Sequence, residues 1–367
     1  MSNYKTVFFT LGVLLIVLGF SMLVPITIQL IYSEFNSTFI ISSIITITFG
    51  ALFFLANIDH NRSLSTQQAF LLTALSWIGV AIFGSIPFIF SDLNLSLTDA
   101  FFESMSGITT TGATIINNLS DTPKAILSWR AILQWLGGIG IIVMAITLMP
   151  IMNIGGMQLL KISSGDSSEK ILPKSKQISL RLVLIYFSLT LLCAFFYKIC
   201  GMNFFDSLTH SMTTIATGGF SNYNQSIGFF ESAKIEYVSI VFIILGSIPF
   251  ISYIKFLSGN KKIIFKDEQI KLFLKLIFFS ILILFVYLAI VNKSIFEIQL
   301  RSIIFNVVSI LTGTGYVTKE FDQWGNFPLI FFLLLMFIGG CAGSTTCGIK
   351  VFRVHMLYFF LKNQLLK

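Results

Sequence analysis

The sequence predicts an all-α polytopic membrane protein built from an N-terminal helix pair followed by repeated helix–half-helix–loop–helix units. Three observations point there. Of 367 residues, 55% are hydrophobic and only 11% charged, whereas soluble domains carry about 25% charged residues. Apolar stretches long enough to cross a hydrocarbon core of about 30 Å recur along the chain. Between them lie segments too apolar for surface loops and too short to span, and these resemble one another.

Eight stretches qualify as spans: Val7–Ile31, Thr38–Ala56, Gln68–Phe90, Ala125–Met149, Ile178–Cys200, Ile235–Ser258, Ile270–Val291 and Phe327–Cys347. The first is too long for a signal-peptide core and no clear small-residue cleavage site follows it, so it reads as a retained helix. Net charge is +8, and its placement between spans sets orientation. With the N-terminus in the cytoplasm, the inner segments hold 17 Lys and Arg against 5 Asp and Glu, and the outer segments 7 against 11. The loops Ser163–Lys176 and Asn260–Gln269 are then cytoplasmic. A basic inner face is a consequence of insertion, so the positive charge does not argue for nucleic-acid binding, and the partner it implies is membrane lipid. Cys193, Cys200, Cys341 and Cys347 fall in or at the ends of apolar spans without metal spacing and read as small buried hydrophobes.

Three segments, after spans three, five and seven, align without gaps. Asp99–Gly112 shares six of fourteen residues with Asp206–Gly219 and five of fourteen with Ser302–Gly315. A small-residue pair follows each at similar offset: Gly137-Gly138, Gly246-Ser247 and Gly339-Gly340. A single Thr/Gly turn is ordinarily just a turn; three in register at membrane half-depth are an architecture. The division that follows is an N-terminal helix pair over 1–66, a first repeat over 67–158, a second over 159–259 and a third over 260–367.

Each half-helix ends in a Thr/Gly-rich turn: Thr109–Ala113, Thr217–Phe220 and Thr312–Tyr316. Backbone carbonyls from several such turns can replace the hydration shell of a cation, and glycine permits the angles required. The C-terminal end of a half-helix adds partial negative charge. The repeats therefore stand around a central pore. Asp99, Glu103, Asp206, Glu231, Glu320 and Asp322 read as acidic groups at its outer mouth that concentrate cations. His210, aligned with Glu103 and Asn306, reads as a buried hydrogen-bonding side chain rather than a proton relay or ligand; His60 and His355 carry no assigned chemistry. The glycine-rich run Gly339–Gly348 resists helix formation and reads as either an irregular gate below the turns or a surface for close helix packing.

At these residues the chain resembles the Trk/Ktr/HKT superfamily of potassium transporters, and among them the bacterial Trk membrane subunit. The run from Trp129 to Met144, WRAILQWLGGIGIIVM, continuing through Pro150 to Gly155-Gly-Met-Gln158, is specific to that subunit. The resemblance implies a selectivity filter for K+, the transported ion, at Thr110, Thr111, Gly112, Thr217, Gly218, Gly219, Gly313, Thr314 and Gly315. It implies a gate at Gly339, Gly340, Gly343, Ser344, Thr345 and Gly348, no covalent cofactor, and no enzymatic activity. It further implies a homodimer in the bacterial cytoplasmic (inner) membrane, working with a cytoplasmic nucleotide-binding regulatory subunit of TrkA type. The family carries four repeats around one pore, and three are present here. Discontinuous helices also suit an ion-coupled secondary transporter, and a non-conducting truncated remnant is the remaining alternative. Parallel repeats favour a pore, inverted repeats alternating access.

Overall fold

A computed structural model describes residues 4–58, 65–147, 171–259, 262–292 and 297–365. Among the described residues the regular structure is helical, with one isolated parallel bridge between Ile338 and Ile349. The longer helices are α1 (Lys5–Ser21), α2 (Leu23–Ile31), α3 (Thr38–Ala56), α4 (Thr66–Ile89), α5 (Leu97–Ile108), α6 (Lys124–Thr147) and α7 (Ile171–Ile199). They continue with α8 (Phe204–Ile215), α9 (Ala233–Ser247), α10 (Phe250–Leu257), α11 (Glu268–Asn292), α12 (Glu297–Thr312), α13 (Asn326–Met336) and α14 (Val351–Leu365).

Among the described residues, six helical segments are long and apolar enough to cross a membrane, and a bent pair makes a seventh. Three of the eight expected spans are not single straight helices. The first breaks at Met22, because Pro25 has no N–H to return to the carbonyl four residues before it; α1 and α2 share the span. The sixth bends by 88° between α9 and α10. There Ile248 is extended (ψ 147°) ahead of Pro249, as a residue before proline must be. The eighth is helical only to Met336 and then irregular to Lys350. Loop boundaries also move: α7 already begins at Ile171, so Lys174 and Lys176 are helical, while 163–170, Asn260 and Lys261 lie outside the described residues, as do His60 and the 148–158 part of the sequence motif.

The N-terminal pair packs backbone to backbone. A Cβ at Gly12 would lie 2.7 Å from the Gly50 carbonyl oxygen, and the Ser43 hydroxyl donates to the Gly19 carbonyl at 2.9 Å. Small residues are what allow helices to approach this closely where lipid removes the hydrophobic drive between them. One buried apolar cluster joins α1, α3, α4 and α6 through Leu15, Phe39, Phe88 and Trp129, and Trp129 donates its indole N–H to the Gly84 carbonyl at 2.9 Å. A larger one joins α7, α8, α9, α11 and α12 through Tyr186, Ile215, Ile243, Phe273 and Phe305. The half-helices α5, α8 and α12 stand within these walls.

Candidate ion-conduction site

Each half-helix is closed at its C-terminus by the same hydrogen-bond pattern. Thr111 N–H reaches back to Ser106 O, Gly218 N–H to Thr213 O and Thr314 N–H to Ser309 O, all at 2.9 Å. This six-to-one closure is the Schellman motif, which places one residue in the left-handed region. That residue is Thr110 (φ 56°), Thr217 (φ 50°) and Gly313 (φ 73°), and two positions on Gly112 (φ 83°), Gly219 (φ 77°) and Gly315 (φ 80°) repeat the left-handed turn. Three loops about a hundred residues apart thus share one backbone course. Threonine is β-branched and rarely left-handed, so Thr110 and Thr217 hold strain of about 1–3 kcal/mol that the surroundings must offset.

The loops meet at their glycines. A Cβ on Gly112 would lie 2.2 Å from the Gly218 carbonyl oxygen, one on Gly219 would lie 1.8 Å from that of Thr314, and one on Gly315 would meet nothing within 4 Å. All nine residues expected to form the filter are therefore gathered at one place, in the order loop one, loop two, loop three. Thr110, Thr217, Gly218 and Thr314 are buried, Gly112, Gly219 and Gly313 half-buried, and Thr111 and Gly315 exposed. The Gly218 carbonyl is committed to the side chain of Gln134, which donates to it at 2.7 Å. The small-residue pairs serve the same approach: a Cβ on Gly137 would lie 1.9 Å from the Ile108 carbonyl, and one on Gly246 2.9 Å from that of Ile215.

Equivalent side chains tie each half-helix to the chain returning from its loop. Glu103 accepts from the Thr114 hydroxyl at 2.9 Å and from the Ile115 N–H at 3.1 Å. His210 donates Nδ1–H to the Asp206 carbonyl (2.9 Å), which leaves Nε2 to accept from the Ser221 hydroxyl (3.0 Å). Asn306 reaches the Lys319 carbonyl at 3.4 Å. The imidazole is thus a structural link between buried neutral partners.

Two of the acidic residues expected at the mouth are elsewhere. Glu103 is fully buried and paired with Arg130 at 2.7 Å. Asp206 is also buried, bonded by Asn203 (2.6 Å), Asn222 (2.7 Å) and Tyr223 (2.8 Å). Glu231, Glu320 and Asp322 are exposed and Asp99 partly so. Arg130 lies 27 residues from Glu103 and Asn222 lies 16 from Asp206, too far for local pattern to reveal.

Beneath the loops, residues 337–350 fill the notch opened by the bend at Pro249. The bend leaves carbonyls without helical partners, and the irregular segment supplies donors: Cys341 N–H to Ser247 O (3.2 Å), Thr345 N–H to Gly246 O (3.4 Å) and the Thr345 hydroxyl to Gly246 O (3.1 Å). In return Phe250 N–H donates to Gly343 O at 3.0 Å. Gly339 must be glycine, since a Cβ there would lie 1.8 Å from the Cys347 carbonyl. Gly340 packs on Thr346, Ser344 is buried, and Gly343 (φ 79°) and Gly348 (φ 76°) are left-handed. The segment also touches the loops above: the Thr217 hydroxyl meets that of Thr345 at 3.0 Å, and Cys347 Sγ lies 3.6 Å from the Gly313 carbonyl. Cys347 is exposed below loop three and Cys200 is half-buried, whereas Cys193 and Cys341 are buried as expected.

Comparison with known proteins agrees with this arrangement. The TrkH family, described as a cation transport protein, matches residues 35–365. The Trk system potassium uptake protein TrkI of Halomonas elongata is 38% identical over 357 residues, covering 97% of this chain and 72% of the relative. The Trk system potassium uptake protein TrkH of Escherichia coli is 35% identical over 366 residues, covering 97% and 75%. The crystal structure of the potassium transporter TrkH from Vibrio parahaemolyticus superposes with a TM-score of 0.89 at 34% identity, over 99% of this chain and 76% of that one. The chain belongs to the TrkH family of cation transport proteins.

Proposed function

We propose that this protein carries potassium across the membrane as the pore-forming subunit of a Trk-like uptake system. The observation that carries this reading is the meeting of three chain-distant loops, each left-handed at two alternate positions, with their glycines in backbone contact. Half-helices α5, α8 and α12 bring their C-termini to one place, where carbonyl oxygens and the negative ends of the helix dipoles favour a cation. Parallel delivery of the three ends favours a single pore over the inverted repeats of alternating access.

In this reading Thr110 to Gly112, Thr217 to Gly219 and Gly313 to Gly315 line the filter, and Gly339, Gly340, Gly343, Ser344, Thr345 and Gly348 form the gate below it. The division into a helix pair (1–66) and repeats over 67–158, 159–259 and 260–367 follows the same loops. The chain sits in the bacterial cytoplasmic membrane with its N-terminus inside, as a homodimer joined on its basic inner face by a nucleotide-binding regulatory subunit. The test is rubidium and sodium uptake by potassium-starved cells that lack other uptake systems. Expressed as a chain extended to the full length of its relatives, the protein should restore rubidium uptake in clear preference to sodium, and absence of that preference would sink the reading.

A further inference from the structure

We infer that Gln134 is a positioning residue of the filter, holding the two peptide planes on either side of Gly219 and so contributing to the choice between potassium and sodium; this rests on the potassium reading above. Gln134 is fully buried on α6. Its amide lies along loop two: Nε2 donates to the Gly218 carbonyl at 2.7 Å, and Oε1 accepts from the Phe220 N–H at 3.1 Å. One side chain thereby brackets a single glycine. The fit needs Gly218 as well, because a Cβ there would lie 2.4 Å from the Gln134 carboxamide carbon. One turn earlier on α6, Arg130 Nη1 donates to the Ser221 carbonyl at 3.0 Å and its guanidinium lies 4.1 Å from the Phe220 ring centre. The first repeat's exit helix thus grips Gly218 through Ser221 of the second repeat's loop.

Among the described residues, that grip is not repeated on the second repeat's exit helix. Aligning Gly246 with Gly137 places Ile243 of α9 where Gln134 stands on α6, and isoleucine can hold no backbone group. Loop three is held instead by Tyr316, whose hydroxyl bonds Thr213 and the His210 carbonyl. Loop two therefore depends on one amide for the orientation of the Gly219 peptides. With both bonds present, those peptides resist the inward shift that a smaller ion demands of its carbonyl ligands. Without them, the peptides tilt and sodium gains access.

The test compares Gln134→Met, which keeps the length and loses both bonds, with Gln134→Glu, whose carboxyl, protonated in this buried place, keeps an acceptor for Phe220 and an O–H for Gly218. Ile126→Val, a buried change on the same helix away from loop two, is the packing control. Rubidium and sodium uptake are measured in potassium-starved cells lacking other uptake systems, normalised to protein in the membrane. The sodium-to-rubidium ratio should rise about threefold to tenfold in Gln134→Met, rise less in Gln134→Glu, and stay unchanged in Ile126→Val. A wild-type ratio in Gln134→Met, or an equal rise in the packing control, overturns the assignment. Should Gln134→Met fail to reach the membrane, a wild-type ratio in Gln134→Leu, which also loses both bonds, overturns it. Loss of ion preference in the unaltered protein would defeat the potassium reading and this one together, whereas intact preference with unmoved variants defeats this one alone.

Discussion

Arg130 brings to one residue the two demands that a buried charge makes in a membrane: a counter-charge and enough acceptors for its N–H groups. Glu103 supplies the first at 2.7 Å and the Ser221 carbonyl part of the second. Arg130→Met should lower the stability of the purified protein by about 3–5 kcal/mol, because it leaves the Glu103 carboxylate buried without its partner. Adding Glu103→Gln should recover part of that loss in thermal unfolding. Equal loss in single and double variants would mean the pairing itself contributes nothing. The filter glycines allow a graded prediction at the same scale. Serine at Gly112 or Gly219 places a Cβ 2.2 Å or 1.8 Å from a neighbouring loop's carbonyl, while Gly315 has open space. All three serine variants should weaken rubidium preference over sodium in uptake, with Gly315→Ser retaining the most protein in the membrane. Wild-type preference in all three at normal expression would remove these glycines from the filter.

Proline and glycine decide what the longer elements do, and they also mark how far the sequence could be read. The half-helices were legible because their turns repeat in register, and the left-handed positions fell where Gly112, Gly219 and Gly315 align. Their supports were not, because Glu103 needs Arg130, Asp206 needs Asn222, and Gln134 needs loop two, all pairings between elements that periodicity cannot connect. The bend after α9 was available in Pro249 but hidden by the unbroken hydropathy around it, and the segment that fills the bend comes from residues 337–350, nearly a hundred residues later. That segment closes on itself through Gly339 N–H to the Ile349 carbonyl at 2.9 Å and seats Thr345 against Ile215 and Gly246. Gly339→Ala sets a methyl against the Cys347 carbonyl and should unseat it, so rubidium uptake should rise several-fold if the segment obstructs the pore. Unchanged flux at normal expression would favour a packing role for these glycines instead.

For the whole molecule, the distribution of charge and the direction of the half-helices must give one orientation. With the cytoplasmic N-terminus proposed above, the inner segments hold 17 positive against 5 negative residues, the bias that insertion favours. The half-helices then enter from outside, and their negative C-terminal ends stop near mid-membrane, where an unhydrated cation needs them. The three returning chains lie outward of that point, and two of them are joined there by Asn224, which bridges the Leu119 N–H (3.2 Å) and the Asn117 carbonyl (2.8 Å). A cysteine placed at Asn117, in a protein whose four native cysteines are replaced, should therefore react with a membrane-impermeant maleimide on intact cells. Cysteines at Gly259 or in residues 163–170 should react only after the cells are opened. Strong labelling of either inner position from outside would reverse the orientation. The half-helices would then open toward the cytoplasm, segment 337–350 would face the exterior, and a gate controlled from a basic inner face would have nothing to act on.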